Sequence, residues 1–198
     1  MTTLTPTPAL SPSQTVGPFF LDCLLRPDAR RNVLIQPETE GERIRIEGRV
    51  LDGDGAPVPD ALVEIWQANA NGRYHHPADT RETAPRDPSF IGFGRSGTDE
   101  AGAFWFDTIK PGAVPFEGER MQAPHICVMV FARGMLNHAA TRLYFADEPA
   151  NAADPVLQRV PAERRETLLA RREPVEGRII YRLDIILQGA GETAFFNL

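Results

Sequence analysis

RIRIEGRVL, residues 43–51, sets Ile44, Ile46 and Gly48 in alternation with Arg45, Glu47 and Arg49. A period of two belongs to a half-buried strand, whose successive side chains point to opposite faces of a sheet. The turn Asp52-Gly53-Asp54-Gly55 closes the run. Outward from it, strand-like stretches recur: LVEIWQA from Leu62, AFWFDTI from Ala103, ICVMVFA from Ile126, TRLYF from Thr141 and IIYRLDIIL from Ile179. Turn residues separate most of them, including Thr98-Asp99-Glu100-Ala101-Gly102 before AFWFDTI and Lys110-Pro111-Gly112 after it. Many strands with few helices predict a mainly β chain folded as an antiparallel β-sandwich.

One short helix is expected. Pro161 suits a first helical turn, and AERRETLLARR after it holds strong helix formers, with Leu168 and Leu169 as its apolar contacts. Residues 1–42 read as an arm and lead-in, because the Pro- and Thr-rich TLTPTPALSP lacks the donors of a packed element; residues 43–198 read as one sandwich domain. The polar stretch 69–95 has little periodicity yet carries Arg73-Tyr74-His75-His76. Long ordered loops in compact domains are usually functional or form interfaces.

The 198 residues, 42% hydrophobic and 24% charged, can bury the core of one globular domain. A net charge of -6 argues against a nucleic-acid groove or an anionic membrane surface as partner, since both need clustered Lys and Arg. An anionic small substrate would need a locally placed cation. Two cysteines, Cys23 and Cys127, write no disulfide framework and suit the reducing cytoplasm. Residues 1–12 lack the basic run and apolar segment of a secretory signal, and no stretch approaches the roughly 20 apolar residues of a membrane span.

Four stretches carry a resemblance: SQTVGPFF at Ser13, EIWQANANGRYHH at Glu64, TDEAGAFWFDTIKPG at Thr98 and APHICVMVFARG at Ala123. TRLYFADE at Thr141 and YRLDIILQGAGETAFF at Tyr181 extend it over nearly the whole chain. Together they resemble the intradiol ring-cleavage dioxygenases, and within that family the branch built from homologous α and β chains that acts on protocatechuate. The resemblance implies a β-sandwich of the intradiol dioxygenase type. It also implies a non-haem Fe(III) held by two tyrosines and two histidines, and cleavage of the catechol ring by O2 between its hydroxyl-bearing carbons. Ferric iron is a hard cation that suits phenolate oxygens and imidazoles, and a chelated catecholate dianion becomes activated toward oxygen.

Carried onto this chain, the ligand set is incomplete. Tyr74, in Gly72-Arg73-Tyr74, matches the first tyrosine, but Val114 stands where the second follows the IKPG turn. The family's His-x-His pair reads His125-Ile126-Cys127, so a softer thiol replaces the second imidazole. The resemblance therefore implies a vestigial site with no iron of its own, the α-type condition, and Fe(III) carried by a homologous β subunit. On their own chemistry, Tyr74 is a buried phenol with a partner, His125 a satisfied core histidine and Cys127 a small apolar strand residue. His75 and His76 are adjacent and point apart in any strand, which speaks against joint metal binding.

An α-type chain is implied to complete its partner's substrate pocket within a higher-order αβ oligomer. The matching residues are Thr15, Gly17 and Pro18 of the arm and Arg133 after the apolar strand, where a guanidinium could meet the substrate's negative charge. The plain alternative for Arg133 is a strand-end arginine paired with an acidic neighbour, and for the arm ordinary turn chemistry. A different class of reading, a catechol-binding or structural β-sandwich with no activity, also fits a chain without its metal ligands.

Overall fold

In the computed structural model, which describes residues 14, 15, 17, 22–175 and 177–197, the alternation at 43–51 becomes β1 (Arg43–Leu51). Ile44, Ile46 and Val50 are buried. Gly48 is required rather than tolerated there: a Cβ would come within 2.0 Å of the Leu183 carbonyl oxygen. The other anticipated runs form β2 (Leu62–Trp66), β4 (Ala103–Ile109), β7 (His125–Phe131) and β8 (Ala139–Phe145), while IIYRLDIIL divides into β10 (Arg178–Arg182) and β11 (Ile185–Ile186). The division falls at Asp184, whose carboxylate accepts the Arg49 backbone N–H at 2.9 Å and pairs with the Arg49 guanidinium at 2.6 Å.

The sandwich expected from the strand pattern is present. One layer runs β3 (Phe93–Gly97), β2, β7, β8, antiparallel throughout. The other is built around β1, which pairs antiparallel with β4 and parallel with β10 and β11. The layers are joined by β9 (Leu169–Val175), parallel to β8 through Tyr144 and Phe145 and then antiparallel to β10, so the sandwich nearly closes on itself. A small ribbon of β5 (Val114–Pro115) and β6 (Met121–Gln122) stands apart. Phe106, Ile126, Val130, Phe145 and Tyr181 pack between the layers.

Two expectations are corrected. The helix expected over AERRETLLARR is a 3-10 segment only from Ala162 to Leu168, after which the chain turns into β9. Propensity loses to tertiary pairing: Leu168 is fully buried, Leu169 and Ala170 take partners on β8, and Thr167 Oγ1 accepts the Ala194 N–H. Strand β3 takes in the last three residues of the polar stretch 69–95 and runs on to Gly97; Gly94 must be small there because a Cβ would sit 2.8 Å from Ile65. Among the described residues, no helix is long and apolar enough to cross a membrane.

Candidate functional site

Period two decides which side chains of β7 reach the site. Ile126, Val128 and Val130 turn into the core, so His125 and Cys127 point to the outer face of the sheet. Antiparallel register then places Trp66 and Arg142 on either side of Cys127, and Tyr144 beside His125. This face is covered by the loop after β2. There Trp66 stacks on Tyr74 with ring centroids 5.9 Å apart and planes inclined by 11°. Gly72, at φ 72°, lets the loop lie against the IKPG turn; a Cβ there would fall 1.9 Å from the Ala113 carbonyl oxygen. Tyr74 and Val114 consequently line one cleft of 540 Å3, together with Trp66, Arg81 and Gln122.

The loop is held by its own bonds. Asn69 Oδ1 accepts the N–H groups of Asn71 and Arg73, and the buried Arg73 donates to the carbonyls of Ala84 and Asp79. Asp79 accepts two bonds from the Arg81 guanidinium and the Tyr74 N–H at 2.9 Å, which lower its pKa to about 2 against the cost of burial. The long polar stretch is thus held by hydrogen bonds of its own.

Charge on this face is unusual. Burial pushes the Tyr74 phenol well above its ordinary pKa, helped by Cys127 and opposed by Arg142 and Arg81, so it stays protonated. Burial likewise raises the Cys127 thiol. His125 is buried with Nδ1 2.8 Å from the Ala123 carbonyl, and desolvation together with the Arg142 charge lowers its pKa to about 4. Arg142 is the cation in register with Cys127. Burial opposes its charge, yet Tyr144, Cys127 and Asp154 outweigh that and raise its pKa. It donates to Gln122 Oε1 at 2.8 Å and to the Tyr144 hydroxyl at 3.3 Å; Tyr144 donates in turn to Asp154 Oδ1 at 3.2 Å. Asp154, fully buried, also accepts the N–H groups of Ala123, Val156 and Leu157.

A second constellation gathers at the end of β7. The Gly134 N–H donates to Thr15 Oγ1 at 2.8 Å, which ties the arm to the turn carrying Arg133. Gln14, Thr15 and Gly17 line a groove with Met135, Leu136 and His138, whose ring lies 5.4 Å from that of Phe131. Arg133 is 68% exposed and pairs with Asp60 at 3.5 Å, a solvated contact worth little. Asp60 itself is strained, at φ 59°, with a buried Oδ1 that has no hydrogen-bond partner. Pro18 lies outside the described residues.

The dioxygenase family model matches residues 16–189. The chain belongs to the intradiol ring-cleavage dioxygenase family. Over its full length and the full length of the relative it is 44% identical to the protocatechuate 3,4-dioxygenase α chain of Burkholderia cepacia. It is 41% identical to the β chain from the same organism, over 84% of this chain and 73% of that one. Among solved structures, the dioxygenase domain of a dioxygenase and carbohydrate-binding protein fusion from Streptomyces sp. SirexAA-E aligns with a TM-score of 0.61 at 25% identity, covering 93% of this chain and all of that one. This intradiol dioxygenase is closely related to the α chains.

The side chains present do not fit the family's ferric ion. Val114 offers no donor atom, Cys127 presents a soft thiol where the family has an imidazole, and a guanidinium stands in register beside it. Among the described residues, no group of three or more His, Cys, Asp or Glu side chains converges as a metal site. Sequence reasoning located Tyr74, Val114, His125 and Cys127 but missed Arg142, Tyr144 and Asp154. The alternation in TRLYF would have put Arg142 and Tyr144 on one face; nothing local marks Asp154, which is 31 residues from the Ala123 amide it holds.

Proposed function

We propose that this chain is the α-type subunit of a protocatechuate 3,4-dioxygenase, acting in a higher-order αβ oligomer with a homologous β subunit that carries the Fe(III). The assembly cleaves protocatechuate with O2 between its hydroxyl-bearing carbons to 3-carboxy-cis,cis-muconate. One observation carries the reading: two of the four positions of the family's ligands hold a donorless valine and a thiol, with an arginine in register beside the thiol, on a scaffold otherwise kept.

What this chain contributes is binding and shape. Arg133 donates hydrogen bonds toward the carboxylate or catecholate oxygens of substrate in the partner's pocket, where a guanidinium held in place stabilises negative charge. Thr15, Gly17 and Pro18 line the same wall. Among the described residues a Cβ on Gly17 would meet nothing within 4 Å, which leaves room there for a partner surface. On this reading residues 1–42 are the arm and lead-in, stitched to the sandwich of 43–198 by the Thr15 bond and by bridges from Arg31 to Arg95 and Val33 to Asp107. Two free thiols support a cytoplasmic setting for the assembly.

The test is to purify the chain alone and together with its homologous partner, and to measure iron per chain and oxygen uptake with protocatechuate. Iron and uptake in the pair alone support the reading. Iron and ring cleavage by the single chain overturn it, and uptake by neither preparation moves the catechol-binding or structural sandwich to the front.

A further inference from the structure

The site has lost two donors, and it has also acquired a positive charge. Arg142 sits in register with Cys127, one of the four ligand positions, and its neighbour in alternation, Tyr144, sits in register with His125, another. Its side chain is partly withdrawn from solvent and fixed at both ends of the row, by Gln122 on the cleft wall and by the Tyr144 hydroxyl. The anion that balances it, Asp154, is itself locked by three backbone N–H groups and by Tyr144. A guanidinium cannot shed its proton to make room for a metal, and at this range it repels a trivalent cation strongly where water is scarce.

We propose that Arg142 is the resident cation of this site and bars ferric iron from it, so that Val114→Tyr and Cys127→His together do not restore metal binding unless Arg142 is also replaced. The proposal rests on the ligand positions assigned under the proposed function and goes beyond them, since loss of donors alone would be undone by returning the donors.

The experiment uses the full chain, with ferric iron supplied as its nitrilotriacetate complex, and reads bound iron per chain and the tyrosinate-to-iron absorption band. V114Y/C127H stays essentially iron-free, whereas V114Y/C127H/R142Q binds at least about ten-fold more tightly and shows the band. V114Y/C127H/R142K, which keeps the charge, stays iron-poor. Arg142→Met is the second neutral substitution, so the comparison holds if the glutamine variant does not fold. Equal iron in V114Y/C127H and the R142Q triple variant overturns the role of Arg142 and leaves the ligand positions standing. No iron in any variant that keeps the native circular dichroism and melting transition overturns the ligand positions, and the proposal with them.

Discussion

The outer face of β7 and β8 and the turn that follows β7 carry the same kinds of side chain to opposite ends. On the face, Arg142, Tyr144, His125 and Asp154 satisfy one another and the backbone, with Asp154 wholly buried. At the turn, Arg133 is 68% exposed with one loose partner, and the groove beside it is lined by arm residues with few bonds. A polar cluster that is closed internally contributes to stability, because each buried group would cost its desolvation if left alone. A cation left open, as Arg133 is, keeps its donors available, and on the proposed function it is the one that meets substrate.

The contrast breaks most sharply at Asp154. Asp154→Ala strands the N–H groups of Ala123, Val156 and Leu157 and removes the counterion of Arg142, so we expect a loss of about 4 kcal/mol. In a thermal melt that corresponds to a fall of roughly 10 °C for a chain of this size. A fall of a degree or two would mean that this face is not held as a network.

His125 gives the same face a pH signature. The unfolded chain takes up a proton near the ordinary histidine pKa of 6.5, while the folded chain refuses it until about 4. Stability attributable to His125 is thus present above 6.5 and lost as pH falls toward 4, by up to about 3 kcal/mol. Urea midpoints at pH 7 and pH 4.5 should diverge in the wild-type chain, and by less in His125→Asn. Equal divergence in both would place the effect elsewhere.

Arg133→Ala should leave the melting temperature within a degree or two and the iron content of the assembled pair intact, while lowering kcat/KM for protocatechuate by about ten-fold. Loss of iron instead would make the role structural. The smallest effect is expected from Tyr74→Phe: it removes a neutral phenol and should leave iron content and the visible spectrum of the pair unchanged. A lost absorption band would show that Tyr74 binds the metal.

Alternation was enough to read β1, β4, β7 and β8, because a strand with one face in the core must place its apolar residues every second position. The family resemblance, read at single positions, pointed to a defective ligand set at Val114 and Cys127, since an alkyl side chain cannot coordinate a metal in any fold and a thiol is softer than the imidazole it replaces. Neither device reaches further. The segment after Leu168 has helical composition and becomes β9 because β8 and β10 offer it two edges, a fact about distant strands. Arg142 has no local mark within the run TRLYF; its place beside Cys127 follows from register between β7 and β8. Asp154 had no signal at all, being defined by amides that only folding gathers. Sequence by itself determined the alternating core strands, the family resemblance and the missing donors, which depend on local period and on side-chain chemistry. Only the tertiary structure decided which charge fills the site and which stays open, because the environment of a charge is set by neighbours that the chain brings together from afar.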